Sequence, residues 1–179
     1  MDRGHFLKTM ALLPLTGFAM KLNQLETVTG ALKSTDTMPV LFLGHGSPMN
    51  AIELNEFSRG WQEAGQSIPK PAAILCISAH WETRGTLVTA MEQPETIHDF
   101  GGFPQALYDV QYPAPGDPAL AKVTTETISA TQVGLDYSWG LDHGAWSVIK
   151  YLYPAADVPV IQMSLDYTKK PEFHYELGQ

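Results

Sequence analysis

Ala72-Ala73-Ile74-Leu75-Cys76-Ile77-Ser78-Ala79, followed at once by His80-Trp81, is a run of small and apolar residues introduced by Pro69 and Pro71. A run of this length without polar alternation fits a strand buried on both faces, as found inside a parallel sheet covered by helices. Upstream, Val40-Leu41-Phe42-Leu43 is a shorter run of the same kind, begun after Pro39 and stopped by Gly44, and is read as a buried strand. Downstream, Thr86 to Met91, Gln132 to Leu135 and Val158 to Leu165 are further strand candidates. Helical stretches fall between them. Asn55 to Gly65 places Phe57 and Trp61 on one face, and Pro118 to about Ser129 has Asp117 as its N-cap. Ala145 to Tyr153 is closed by Pro154, and Glu172 to Gln179 begins a last helix. Strands alternating with helices predict an α/β domain: a mostly parallel central sheet with helices on both faces. The stretch from Gln93 to Pro118 is rich in Pro and Gly and too long for a plain connection, which marks it as a candidate functional loop.

The 179 residues suffice for one domain. A net charge of -8 argues against a nucleic-acid or anionic-membrane partner, since both need clustered Lys and Arg. The single cysteine, Cys76, lies inside the apolar run and is read as an inert buried thiol. Residues 1–37 differ in character from 38–179 and are read as a leader and linker ahead of the domain proper. Arg3 and Lys8 precede an apolar stretch, Thr9 to Met20, too short to span a bilayer. It resembles a signal peptide, and Arg3 to Lys8 resembles a twin-arginine export motif except that Gly4 stands where the second Arg would be. An N-terminal extension with no export role is the other reading. The expected location is the cytoplasm, or the periplasm if the leader is used.

Three histidines have informative surroundings. His45, in Gly44-His45-Gly46-Ser47-Pro48, directly follows the first apolar run, and His80 directly follows the second. Ligands of open α/β sheets bind outside the carboxyl ends of strands, so these two can converge on one point. Neutral imidazole is a ligand for iron or zinc. Either histidine alone would more often serve a turn; the pair favours a shared metal. His143, in Asp142-His143-Gly144, opens a helix, and the adjacent carboxylate of Asp142 could fix its tautomer. It is read either as a catalytic group or as a packed supporting one. His98, in the long loop, is a candidate substrate-binding residue, with a plain surface-loop role as the alternative. Spacing alone stops at a two-histidine metal site.

The blocks Gly44 to Asn50, Ser78-Ala79-His80-Trp81, Ile97 to Tyr108, Tyr112 to Gly116 and Asp142 to Trp146 occur in an order that resembles the LigB-type class III extradiol ring-opening dioxygenases. The similarity is greatest to the 4,5-DOPA extradiol dioxygenases of bacteria and plants. The resemblance implies a LigB-like fold, a metal held by His45 and His80, and His143 close enough to steer substrate or oxygen. It implies a catechol and O2 as reactants, Fe(2+) for activity, and Zn(2+) at the same site in some members. It also implies a later histidine, in a Gly-Asn-x-x-His-Asn type motif, and another His or acidic residue near the C-terminus. Neither has a counterpart here, so the expectation is the N-terminal part of such a protein, its fold incomplete at the C-terminus. Two rival readings stand beside this one. Gly-His-Gly-Ser after a first strand also occurs in small α/β tetrapyrrole chelatases, although the Ser78 and Ile97 blocks favour the dioxygenase. The other is a metal-binding chain without turnover.

Overall fold

β4 (Val160–Asp166) organises the sheet, and all of its residues but Leu165 are buried. The computed structural model describes residues 37–179, which form one compact unit. β1 (Ile74–Thr83) runs parallel to β4, with Ile74 opposite Val160 and Ile77 opposite Met163. On the other side β2 (Thr86–Thr89) is antiparallel to β4 through the single pair Val88 and Met163. β3 (Val133–Asp136) lies beyond, parallel to β2. The order β1-β4-β2-β3 is thus two parallel pairs joined along one antiparallel seam.

The seam follows from the length of one connection. Only Arg84 and Gly85 separate β1 from β2, yet β4 lies between those strands. The link must cross two strand spacings, ~9.5 Å, which three Cα steps can span when nearly extended. Gly85 turns it with a φ of +87°, where a Cβ would be strained. Ser164 fastens the seam from β4: its hydroxyl accepts from the Leu87 N–H at 2.9 Å and meets Thr83 Oγ1 at 2.6 Å.

Helices cover both faces. α1 (Glu56–Ser67) begins with a reciprocal cap, in which Asn55 Oδ1 accepts from the Phe57 and Ser58 N–H groups and Ser58 Oγ accepts from Asn55 N–H. Such a cap is worth about 1 kcal/mol. α2 (Gln105–Tyr108) is a single turn in the long loop. α3 (Pro118–Thr127) is capped by Asp117, as its sequence predicts, with Pro118 in the first turn. α4 (His143–Leu152) and α5 (Pro171–Leu177) follow. Alternation along β4 sends Val160 to one face and Ile161 and Met163 to the other. On the first face α1 and α4 contribute Trp61, Trp146, Ile149 and Leu152; on the second, Ala121 of α3 packs with Val88 and Val133.

The mostly parallel α/β sheet agrees with the sequence reading, and three details differ. Val40–Leu43 forms no strand: Val40 and Phe42 are fully exposed, because no described residue offers that segment a ladder. β1 does not stop at Ala79 but continues to Thr83. Among the described residues it is an edge strand rather than one buried on both faces, and Leu75 and Ile77 are 46% and 53% exposed, since α3 packs over β2 and β3 instead. The leader reading falls on residues outside those described. Among the described residues no helix is long and apolar enough to cross a membrane.

Asp142 binds these layers together. Its fully buried carboxylate accepts from Ser78 Oγ (2.7 Å), Ala145 N–H (3.0 Å), Gln162 Nε2 (2.7 Å) and Trp139 Nε1 (3.3 Å). Asp142→Ala removes the cap of α4 and leaves buried donors unpaired, so it is expected to cost roughly 3 kcal/mol or more. Urea unfolding followed by circular dichroism measures this, and a loss under about 1 kcal/mol would contradict it.

Candidate metal centre

His45 is aimed by its own loop. Gly46 follows it with a φ of +62°, and a Cβ there would also press on Asn50 Nδ2 at 3.0 Å. Asn50 Nδ2 donates to the His45 carbonyl (3.0 Å), and Asn55 Nδ2 in turn donates to Asn50 Oδ1 (2.7 Å). The turn Pro48–Ala51 is opened by Ser47, whose hydroxyl accepts from Met49 N–H. The block Gly44 to Asn50 thus works as a mount for one imidazole.

His80 stands where β1 leaves its ladder. Ile77 pairs with Met163 and Glu82 with Leu165, so Ser78 to Trp81 all face the single residue Ser164. Such a bulge re-aims side chains that a regular ladder would point straight up and down. Ser78 returns to Asp142, and Trp81 stacks on Trp139 with ring centroids 5.8 Å apart and planes 3° from parallel. His143 is the first residue of α4, placed by the Asp142 cap.

These three elements bring the rings together. His45 Nε2 and His80 Nε2 face one another at 2.9 Å. The His143 ring lies 5.0 Å from that of His45 and 4.1 Å from that of His80, centroid to centroid. One ring nitrogen from each histidine falls within 4.8 Å of the others, which makes a group able to hold a metal ion. Asp99 lies beside them: Oδ1 accepts from His143 N–H (2.8 Å) and sits 2.9 Å from His143 Nδ1, while Oδ2 sits 3.2 Å from His80 Nδ1.

The electrostatics suit a cation. Burial, then the neighbouring His143 and His80, lower the pKa of His45, which favours its neutral imidazole. Burial raises the Asp99 carboxyl, but the hydrogen bonds from the side chain and backbone of His143 outweigh it and hold the pKa at about 2. Two nitrogens sharing an ion through bonds of ~2.1 Å can be at most ~4.2 Å apart. The 2.9 Å gap between His45 and His80 meets that limit. Neutral nitrogen donors with no thiolate fit iron or zinc.

His45, His80 and His143 therefore gather as a set. His98 does not join them: its Nε2 is 2.9 Å from the Val110 carbonyl, and its ring packs against Phe100, Tyr108 and Trp146. Phe100 touches the set instead, edge-on to His143 at 5.2 Å. Asp142, the sequence neighbour read as the partner of His143, caps the helix, and Asp99 orients the ring. Sequence reasoning missed Asp99 although it lies within the Ile97 to Tyr108 block; its only signal was a carboxylate next to His98. Cys76 is half-buried, and burial followed by the charge of Asp142 pushes its thiol up to about 12, in keeping with an inert role.

Comparison with protein families matches residues 39–179 to the catalytic LigB subunit of aromatic ring-opening dioxygenase. Among curated proteins the chain is 55% identical over 153 residues to 4,5-DOPA dioxygenase extradiol of Escherichia coli (strain K12), an alignment covering 85% of this chain and 56% of that protein. It is 40% identical over 144 residues to the protein of the same name from Mirabilis jalapa, covering 77% and 54%. Among solved structures, an uncharacterized protein from Escherichia coli K12 matches with a TM-score of 0.65 at 48% identity, over 79% of this chain and 53% of that one. The chain spans about half the length of the curated relatives it matches.

Gly144 lets the His143 helix approach β1. A Cβ at that position would stand 2.5 Å from His80 Cδ2 and 2.7 Å from Ser78 Oγ. Gly144→Ala is expected to push the His80 ring aside and cost ~1–3 kcal/mol by overpacking. The urea midpoint gives the cost, and histidine ring resonances give the displacement. A variant with unchanged stability and unmoved His80 resonances would disprove the tight fit.

Proposed function

This chain belongs to the LigB family of aromatic ring-opening dioxygenases, and we propose on that premise that it supports extradiol opening of a catechol by O2 at a metal held by His45 and His80. The observation that carries the reading is the pair of facing Nε2 atoms, 2.9 Å apart. The relatives named 4,5-DOPA dioxygenase extradiol point to a DOPA-like catechol as the substrate class. Ferrous iron, when bound, supplies electron transfer between ring and oxygen, whereas zinc on the same imidazoles is redox-inert.

The protein groups have separate tasks. His143 Nε2 takes the proton of a catechol hydroxyl and later returns it to the opening product, while Asp99 steadies the imidazolium through Nδ1. Phe100 gives the aromatic substrate an apolar wall beside His143. His98 borders the substrate from behind Phe100, against which it packs edge-on. The reactants are small molecules, in keeping with a chain whose net charge is -8.

Anaerobic Fe(2+) titration followed by oxygen uptake with DOPA tests the proposal. His45→Ala or His80→Ala should abolish both iron binding and uptake, because each removes a ligand. His143→Ala should keep the metal and lower turnover by ~10²–10⁴-fold, as expected for a proton-transfer group. Undiminished iron-dependent uptake in the doubly substituted His45→Ala, His80→Ala protein would refute the site.

A further inference from the structure

We infer that Asp99 is a positioning residue that holds the ring protons of both His80 and His143 on Nδ1, leaving their Nε2 lone pairs free toward the centre. The argument begins with a count of donors and acceptors. A carboxylate only accepts hydrogen bonds, and a neutral imidazole carries one N–H. Oδ1 accepts a hydrogen bond from His143 Nδ1 at 2.9 Å, so that Nδ1 must be the donor, and Oδ2 lies 3.2 Å from His80 Nδ1, where the charge of a carboxylate oxygen favours an N–H over a lone pair on the facing nitrogen. One side chain thereby fixes two tautomers, from a position 44 residues before His143.

His45 is left as the adjustable ring. Its Nδ1 is buried and makes no well-aligned hydrogen bond among the described residues, while the Gly46 backbone lies near enough to accept a proton placed there. Its Nε2 faces that of His80 at 2.9 Å. Two lone pairs cannot face each other at that distance, so without a metal His45 must place its proton on Nε2 and donate it to His80. A cation replaces that proton, and His45 then moves its hydrogen to Nδ1. The cost of loading falls on one histidine while the other two stay as they are. This last part rests on the metal reading above; the two locked tautomers do not.

Asp99→Asn provides a sharp test because the orientation of its amide is dictated. The backbone N–H of His143 can only donate, so the amide oxygen must stay where Oδ1 is now, 2.8 Å from it. The amide nitrogen then takes the place of Oδ2 and donates to His80 Nδ1. His143 keeps its tautomer, and His80 is driven to carry its proton on Nε2, where it blocks the lone pair that a metal needs.

Long-range 15N NMR of the histidine rings reads these protons directly, first in the metal-free wild-type chain and then with added Zn(2+). The expected result is Nδ1–H on His80 and His143, Nε2–H on His45, and a move of the His45 proton to Nδ1 as zinc binds. In Asp99→Asn, His80 alone among the locked pair should change tautomer, and zinc affinity by calorimetry should fall ~10–100-fold, as for other groups that orient ligands. Wild-type protein with His80 protonated on Nε2 overturns the inference, whether or not the variant folds. A variant in which His80 keeps Nδ1–H and zinc binds as tightly as before also overturns it. Wild-type protein that shows the two locked tautomers but binds no zinc supports the inference and sinks the metal reading instead.

Discussion

A buried carboxylate with four donors around it is the constraint from which the remainder follows. Asp142 sits at the junction of the sheet and the helix that covers it, and none of its surface reaches solvent. A lone carboxylate in such a place would be prohibitively expensive to ionise. Here a helix N-terminus, a β1 hydroxyl, a β4 amide and an indole N–H converge on it. Its own N–H donates to Gln162 Oε1, and Gln162 N–H donates to Thr89 Oγ1 in β2, so the network runs through three of the four strands. Because the start of α4 and the irregular part of β1 are tied to the same group, His143 and His80 are brought together before any ligand takes part.

Much of this was readable from local chemistry. The Asp117-Pro118 start of α3 follows from capping and proline rules, which need only neighbouring residues. Of the three clustered histidines, His45 and His143 stand next to glycine and His80 directly follows an apolar run, and these surroundings marked them out. The failures share a different cause. Val40–Leu43 is apolar enough to be a strand, but a strand also needs a partner, and hydropathy does not say whether one is present. His80 looked like the end of a strand because its polarity breaks the run; a bulge breaks it equally well while the strand continues. Asp99 was passed over in favour of Asp142, which is adjacent in sequence but turned away.

The antiparallel seam was legible in principle. Parallel neighbours need a crossover of a dozen or so residues. Two residues between β1 and β2 exclude that relation, and once β4 is inserted between them the opposite direction of β2 follows. The alternation of strands and helices elsewhere in the chain favoured a mostly parallel sheet, and this one short link marks where the direction reverses.

The stacked indoles of Trp81 and Trp139 give the centre an optical property. Trp81 follows His80 in β1, and Trp139 donates to Asp142, so the pair spans the strand and the carboxylate that hold the histidines in place. Aromatic rings 5.8 Å apart and within 3° of parallel couple their ultraviolet transitions. Absorption and emission from such a pair depend on its separation and tilt, so the light the protein absorbs and emits carries information about the backbone next to the imidazoles without any added label.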